Sequence, residues 1–98
     1  MRIVRDHGRS RQEARAKVDT LLPALLERHG DRLNDAQGAW DDDVFSFAFQ
    51  AMGFSIKGTL EIDDVVLKLD AGLPLLARPF EGALRTSVER ELDRILAE

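Results

Sequence analysis

The sequence predicts an α+β domain of two layers: a four-stranded antiparallel meander with an N-terminal and a C-terminal helix packed on one face. Three observations predict it. Apolar and polar residues alternate from Trp40 to Asp70, helical-period stripes flank that stretch, and three turn signals agree on which side is apolar. The 98 residues suffice for one domain, residues 1–98, with a core but no deep enclosed site.

The meander follows from its turns. A two-residue loop at Asp63-Asp64 sets Ile62 opposite Val65, Leu60 opposite Leu67 and Gly58 opposite Leu69. A four-residue loop, Gln50-Ala51-Met52-Gly53, sets Phe49 opposite Phe54 and Phe47 opposite Ile56. A loop at Asp42-Asp43 sets Trp40 opposite Phe45. These choices put every large apolar side chain on one face, with Phe47 at its centre. Gly58 leaves a gap in that face, which either a neighbouring ring or a closely approaching helix fills.

Before the meander, Ile3 and Val4 permit a short extra N-terminal strand. Ser10 and Glu13 have capping-box spacing, and Ala14, Val18, Leu21, Leu22, Leu25 and His29 recur at helical intervals, which predicts one helix over Arg11 to Arg28. Pro23 lies away from the stripe and predicts a bend. His29-Gly30 supplies a cation near the carbonyl end and a residue able to take positive φ. Asp31 to Gly38 is polar and reads as a connection. Past the meander, Leu73 to Arg78 reads as a short helical turn, and Phe80 to Ala97 as the last helix, with Phe80, Leu84, Val88, Leu92, Ile95 and Leu96 in one stripe.

Both helices on the apolar face leave the other face open. There Val44, Ala48 and Val66 interrupt polar residues such as Lys57, Glu61 and Lys68, and they form the candidate partner face of a homodimer.

The formal charge of −4 is unevenly spread. Residues 1–17 hold six Arg and Lys against Asp6 and Glu13, a net of +4, so the remainder carries −8. An arginine-rich start can contact phosphate or an anionic surface, or simply form a solvated helix start. The acidic remainder and the absence of interleaved aromatics argue against a nucleic-acid module. With no cysteine, disulfides, thiolate metal sites and thiol catalysis are excluded, which fits a reducing compartment. Apolar runs are too short for a transmembrane segment or a secretory signal.

Chemistry is sparse. The two histidines stand at no mutual ligand spacing: His29 reads as a helix-dipole partner, and His7 as a surface residue or a cap. Asp41-Asp42-Asp43 and Asp63-Asp64 read as turn residues rather than cation ligands, and Glu91 as a rim carboxylate paired with an arginine. The glycines make no phosphate loop. Catalytic, cofactor and metal residues are therefore expected to be none.

The run from Gly53 to Leu67, then Leu73-Pro74-Leu75-Leu76, then Val88 to Leu96, resembles the polyhydroxyalkanoic acid system family of small bacterial proteins. His7, Ala14-Arg15, Trp40 before an acidic turn, and Phe47 are similar in kind and order. The resemblance implies a cytoplasmic accessory protein of polyhydroxyalkanoate storage granules, encoded beside granule genes and without established catalytic residues. It also implies the granule or a granule protein as partner. The alternative is a carrier of an acyl or hydroxyacyl compound between helices and sheet, its pocket lined by Phe45, Phe47, Met52, Phe54 and Ile56.

Overall fold

Strands form wherever the alternation predicts them. The computed structural model describes residues 1–30, 33–51 and 53–97. It has β1 over Arg2–Asp6, β2 over Leu33–Asp41, β3 over Val44–Ala51, β4 over Phe54–Ile62 and β5 over Val66–Gly72. They form one antiparallel sheet in the order β1-β5-β4-β3-β2. The meander is present, and the Ile3-Val4 stretch adds a fifth strand, with Ile3 opposite Leu69. Part of the polar stretch expected as a connection is strand, since β2 begins at Leu33 and carries an irregularity between Asn34 and Gln37.

One turn matches the expected register and two are offset. Trp40 faces Phe45 across Asp42 and Asp43. Between β3 and β4, Ala51 already pairs with Phe54, so Phe49 faces Ile56 and Phe47 faces Gly58. Gly53 adopts φ +80°, which lets the chain reverse within two residues instead of four. Between β4 and β5, the Asp63 N–H donates to Val66 O at 2.9 Å, and Asp63 Oδ1 accepts the Asp64 N–H at 3.0 Å. The turn therefore starts one residue later than expected: Ile62 faces Leu67, Leu60 faces Leu69 and Gly58 faces Ala71. Val65, placed on the apolar face by the sequence reading, is an exposed loop residue instead. Both offsets equal two residues in pairing, an even number, so the apolar set stays on the same face.

The first helix begins as predicted and ends early. Ser10 caps α1, Arg11–Val18, its Oγ accepting the Glu13 N–H at 3.1 Å while the Glu13 carboxylate reaches back to Ser10. A separate α2 runs from Leu21 to His29. The break falls at Asp19-Thr20 because Pro23, four residues beyond Asp19, has no N–H for that carbonyl and its ring crowds it. Pro23 then occupies the first turn of α2, where a missing donor costs nothing. Gly30 stays in the right-handed region at φ −61°, so positive φ is not its role. A Cβ there would collide with the Leu26 carbonyl oxygen.

A 3₁₀ helix, Leu75–Phe80, leads into α3, Glu81–Ala97. The helices bring Val18, Leu21, Leu25, Val88, Leu92 and Ile95 onto Phe45, Phe49, Ile56, Leu60 and Leu69 in one buried cluster. Phe47 is only half-buried and joins its edge.

Candidate functional site

Four arginines of the arginine-rich start, Arg5, Arg9, Arg11 and Arg15, are engaged within the fold. Arg5 pairs with Glu89 through Nη2 and with Asp93 at 3.1 Å through Nε. The hydrogen bonds to Glu89 and Asp93 hold its pKa above the usual guanidinium value. Arg9 donates from Nη2 to Leu96 O at 2.6 Å, satisfying a carbonyl in the last turn of α3. Arg15 stacks over Trp40, 4.4 Å from the ring centroid, and the Trp40 indole N–H donates to Asp19 Oδ1 at 2.6 Å. The basic N-terminal segment thus meets the acidic remainder of its own chain.

Arg11 shows how two acidic turns are used. Its Nε reaches Asp64 Oδ1 at 2.6 Å, its Nη1 Asp43 Oδ2 at 2.8 Å and its Nη2 Asp63 Oδ1 at 3.6 Å. The turns are local structures, as the sequence reading had them, but their carboxylates also converge on one guanidinium that ties α1 to both hairpin ends. The hydrogen bond to Asp64, then that to Asp43, raises the Arg11 pKa. Among the described residues no group of three or more His, Asp or Glu is placed to hold a metal ion.

His7 is neither a surface residue nor a helix cap. It is buried, its Nδ1 accepts the Arg9 N–H at 3.2 Å, and its Nε2 lies 2.7 Å from Asp63 O. With Nδ1 accepting, the ring proton sits on Nε2 and donates to that carbonyl. The His7 N–H also donates to Val65 O at 3.0 Å, so the end of β1 is fastened to the β4–β5 turn.

The expected pocket residues are divided by the structure. Phe45, Phe47 and Ile56 line a void of about 20 Å³ between helices and sheet. That is room for about one water, far below a ligand cavity. Phe54 lies elsewhere, its ring 6.1 Å from that of Phe80, and Met52 is outside the described residues. On the uncovered face, Val44, Ala48 and Val66 are half-buried and separated by charge: Val44 pairs with Glu61, Ala48 with Lys57 and Val66 with Asp6.

Glu91 differs from the rim carboxylate the sequence predicts. It is 2% exposed, its Oε1 lies 3.1 Å from Arg28 Nε and 3.4 Å from Arg94 Nη1, and its Oε2 has no hydrogen-bond partner among the described residues. The arginine pairing was legible; the depth was not, because it depends on how closely α2 approaches α3.

The most exposed large apolar side chains lie on the 3₁₀ helix. Leu75 and Leu76 are 76% and 78% exposed, and Phe80 is 43% exposed. With three residues per turn, Ala77 and Phe80 share the inward side, where Ala77 is buried and Phe80 meets Phe54. Leu75 and Leu76 therefore point outward together, beside exposed Arg78. The sequence marked this segment only as a helical turn. Two adjacent leucines in a short segment holding both Pro74 and Pro79 were the available signal.

Among the described residues no helix is long and apolar enough to cross a membrane. No curated protein and no solved structure matches this chain. Residues 1–96 match the family described as "Putative polyhydroxyalkanoic acid system protein". That match spans nearly all 98 residues and every element of the fold, so the chain belongs to the polyhydroxyalkanoic acid system family.

Proposed function

We propose that this protein is a non-enzymatic accessory protein of the polyhydroxyalkanoate system that attaches to the granule surface through its 3₁₀ helix. Family membership supports the setting. The single observation that carries the attachment is the outward pair Leu75 and Leu76 on a short 3₁₀ helix capped by Pro74 and containing Pro79. Neither leucine is needed by the core, and a polyester surface offers them an apolar environment. Burying a leucine contributes about 1.5–3 kcal/mol, so two of them support a reversible attachment rather than a permanent anchor. The non-enzymatic reading is supported by His7, whose two ring nitrogens are both engaged by backbone groups.

A fluorescent fusion in cells filled with polymer granules tests this reading. The protein is expected on the granules, its deletion is expected to change granule number or size, and Leu75→Glu with Leu76→Glu is expected to release it while the melting temperature stays unchanged. A diffuse wild-type signal together with unaltered granules in the deletion strain would end the granule role. Undiminished binding of the double variant would move the contact to another surface.

A further inference from the structure

β1, Arg2–Asp6, is an edge of the sheet, bonded to β5 on one side and, among the described residues, to no strand on the other. At its two ends Met1 O accepts the Ala71 N–H and the His7 N–H donates to Val65 O. Antiparallel ladders alternate, so Met1, Ile3, Arg5 and His7 turn their backbone groups toward β5, while Arg2, Val4 and Asp6 turn theirs outward. The outer edge therefore presents a row of donors and acceptors at every second residue, the template that a further strand requires. Val4 O accepts one bond from Arg5 Nη1 at 3.0 Å and, as a carbonyl oxygen, keeps a second lone pair.

The side chains of the same three residues indicate which strand fits. Arg2, Val4 and Asp6 share the uncovered face and are exposed, Val4 by 46%. Arg5 holds the ion pairs of β1, and Arg2 and Asp6 form none among the described residues. A base stands two residues before Val4 and an acid two residues after it. Two copies of β1 running antiparallel with Val4 opposite Val4 thus set each Arg2 against the partner's Asp6. Moving the register by one residue turns one strand's side chains to the wrong face, and moving it by two either sets Arg5 against Arg5 or leaves Asp6 unpaired. The other edge has no such complementarity. β2 carries Asp35 and Asp41 without an arginine or lysine, and its irregularity between Asn34 and Gln37, with Asp35 at φ 54°, interrupts the row.

We propose that β1 pairs antiparallel with the β1 of a second copy about a two-fold axis beside Val4, joining two five-stranded sheets into one continuous sheet. The outward backbone groups of Arg2, Val4 and Asp6 in each copy bond to those of Asp6, Val4 and Arg2 in the other. Arg2–Asp6 ion pairs flank a central contact between the two Val4 side chains. The axis stands perpendicular to the sheet, so the helices of both copies lie on the same side. The pairing goes beyond granule attachment and does not rest on it, because β1 and the 3₁₀ helix have no residue in common.

Sedimentation equilibrium on the full chain across a concentration series tests the pairing. The mass is expected to rise from 11.0 kDa toward twice that value. Arg2→Asp and Asp6→Arg each set like charges opposite one another and are expected to weaken self-association about tenfold. An equimolar mixture of these two singly substituted proteins restores opposite charges across the axis and is expected to associate about as tightly as the wild type. Asp6 stands beside Val66 in its own sheet and its side chain makes no described contact, so Asp6→Arg reads the interface alone should Arg2→Asp, set beside Asp70, fail to fold. Val44→Lys, on β3 of the uncovered face, is expected to associate as the wild type does. In hydrogen exchange, the Val4 N–H is expected to slow as concentration rises, whereas that of Ile3, already turned to β5, is expected not to change. A mass of 11.0 kDa at every concentration up to the millimolar range, association undiminished by Asp6→Arg, or concentration-independent exchange at Val4 overturns the pairing. Loss of association in Val44→Lys overturns it as well, by moving the contact between copies to the uncovered face.

Discussion

The ring of Phe47 lies directly over Gly58, so close that a Cβ on the glycine would fall 2.7 Å from Phe47 Cζ. The same Cβ would stand 2.5 Å from Asp70 O and 2.9 Å from Ala71 Cα, both backbone atoms of the neighbouring strand. A ring can turn aside, but the paired β5 backbone cannot move without breaking its ladder. Gly58→Ala is therefore expected to destabilise the protein by about 1–3 kcal/mol, the range for overpacking. Thermal unfolding checks this, with a loss of about 4–8 °C per kcal/mol in a domain of this size. An unchanged or raised melting temperature would mean that β4 and β5 are not packed as described.

Burial orders the phenylalanines differently from the sequence reading, which placed Phe47 at the centre of the face. Phe49 is 5% exposed and stacks on Phe47, with ring centroids 6.1 Å apart, whereas Phe47 itself is half-buried. Phe49→Ala is expected to cost about 3–5 kcal/mol and Phe47→Ala clearly less. Chemical denaturation of the two variants decides the order, and a larger loss for Phe47→Ala would contradict the observed register.

His7, just past β1, reaches the β4–β5 turn through Nε2, while its Nδ1 holds the N–H of Arg9. Truncation to alanine leaves the Asp63 carbonyl and the Arg9 N–H without their buried partner, at an expected cost of about 1–3 kcal/mol. Because the lost contacts are local to β1, hydrogen exchange of the β1–β5 amides is expected to speed up more than that of β3 and β4. Uniform acceleration across the sheet would show that His7 acts on global stability alone.

Asp63 makes the acid limb of stability predictable in sign. The backbone N–H of Asp64 donates to its carboxylate, and Lys68 and Arg11 add favourable charge, so its folded pKa lies below the usual carboxylate value despite an opposing contribution from burial. A group with a depressed folded pKa contributes stability that is complete above its unfolded value, about 4 for an aspartate, and is lost as pH falls through the lower folded value. Asp63→Asn is expected to flatten the decline in melting temperature through that window. High salt is expected to shrink the difference between the two proteins, since the side chain is exposed. Parallel declines for both proteins would remove Asp63 from the acid response.

The sequence by itself determined which residues share the buried face, the Ser10 cap, the presence of a last helix after the meander and the family. These are local or parity-based signals: capping needs four consecutive residues, and alternation survives any even offset in pairing. The break at Asp19-Thr20 was not read from the sequence, which predicted one bent helix over Arg11 to Arg28, although Pro23 and the carbonyl it obstructs are one helical turn apart. Only the tertiary structure decided the register of two hairpins, because a tight turn at Gly53 and an aspartate-held turn at Asp63 preserve parity while moving every partner by two. It alone revealed that Arg5, Arg9 and Arg11 meet groups far along the chain, and that Glu91 is buried between α2 and α3. Leu75 and Leu76 share the same apolar character as the core leucines. Whether such a side chain faces inward or outward is set by the elements that pack around it, and among the described residues none covers them.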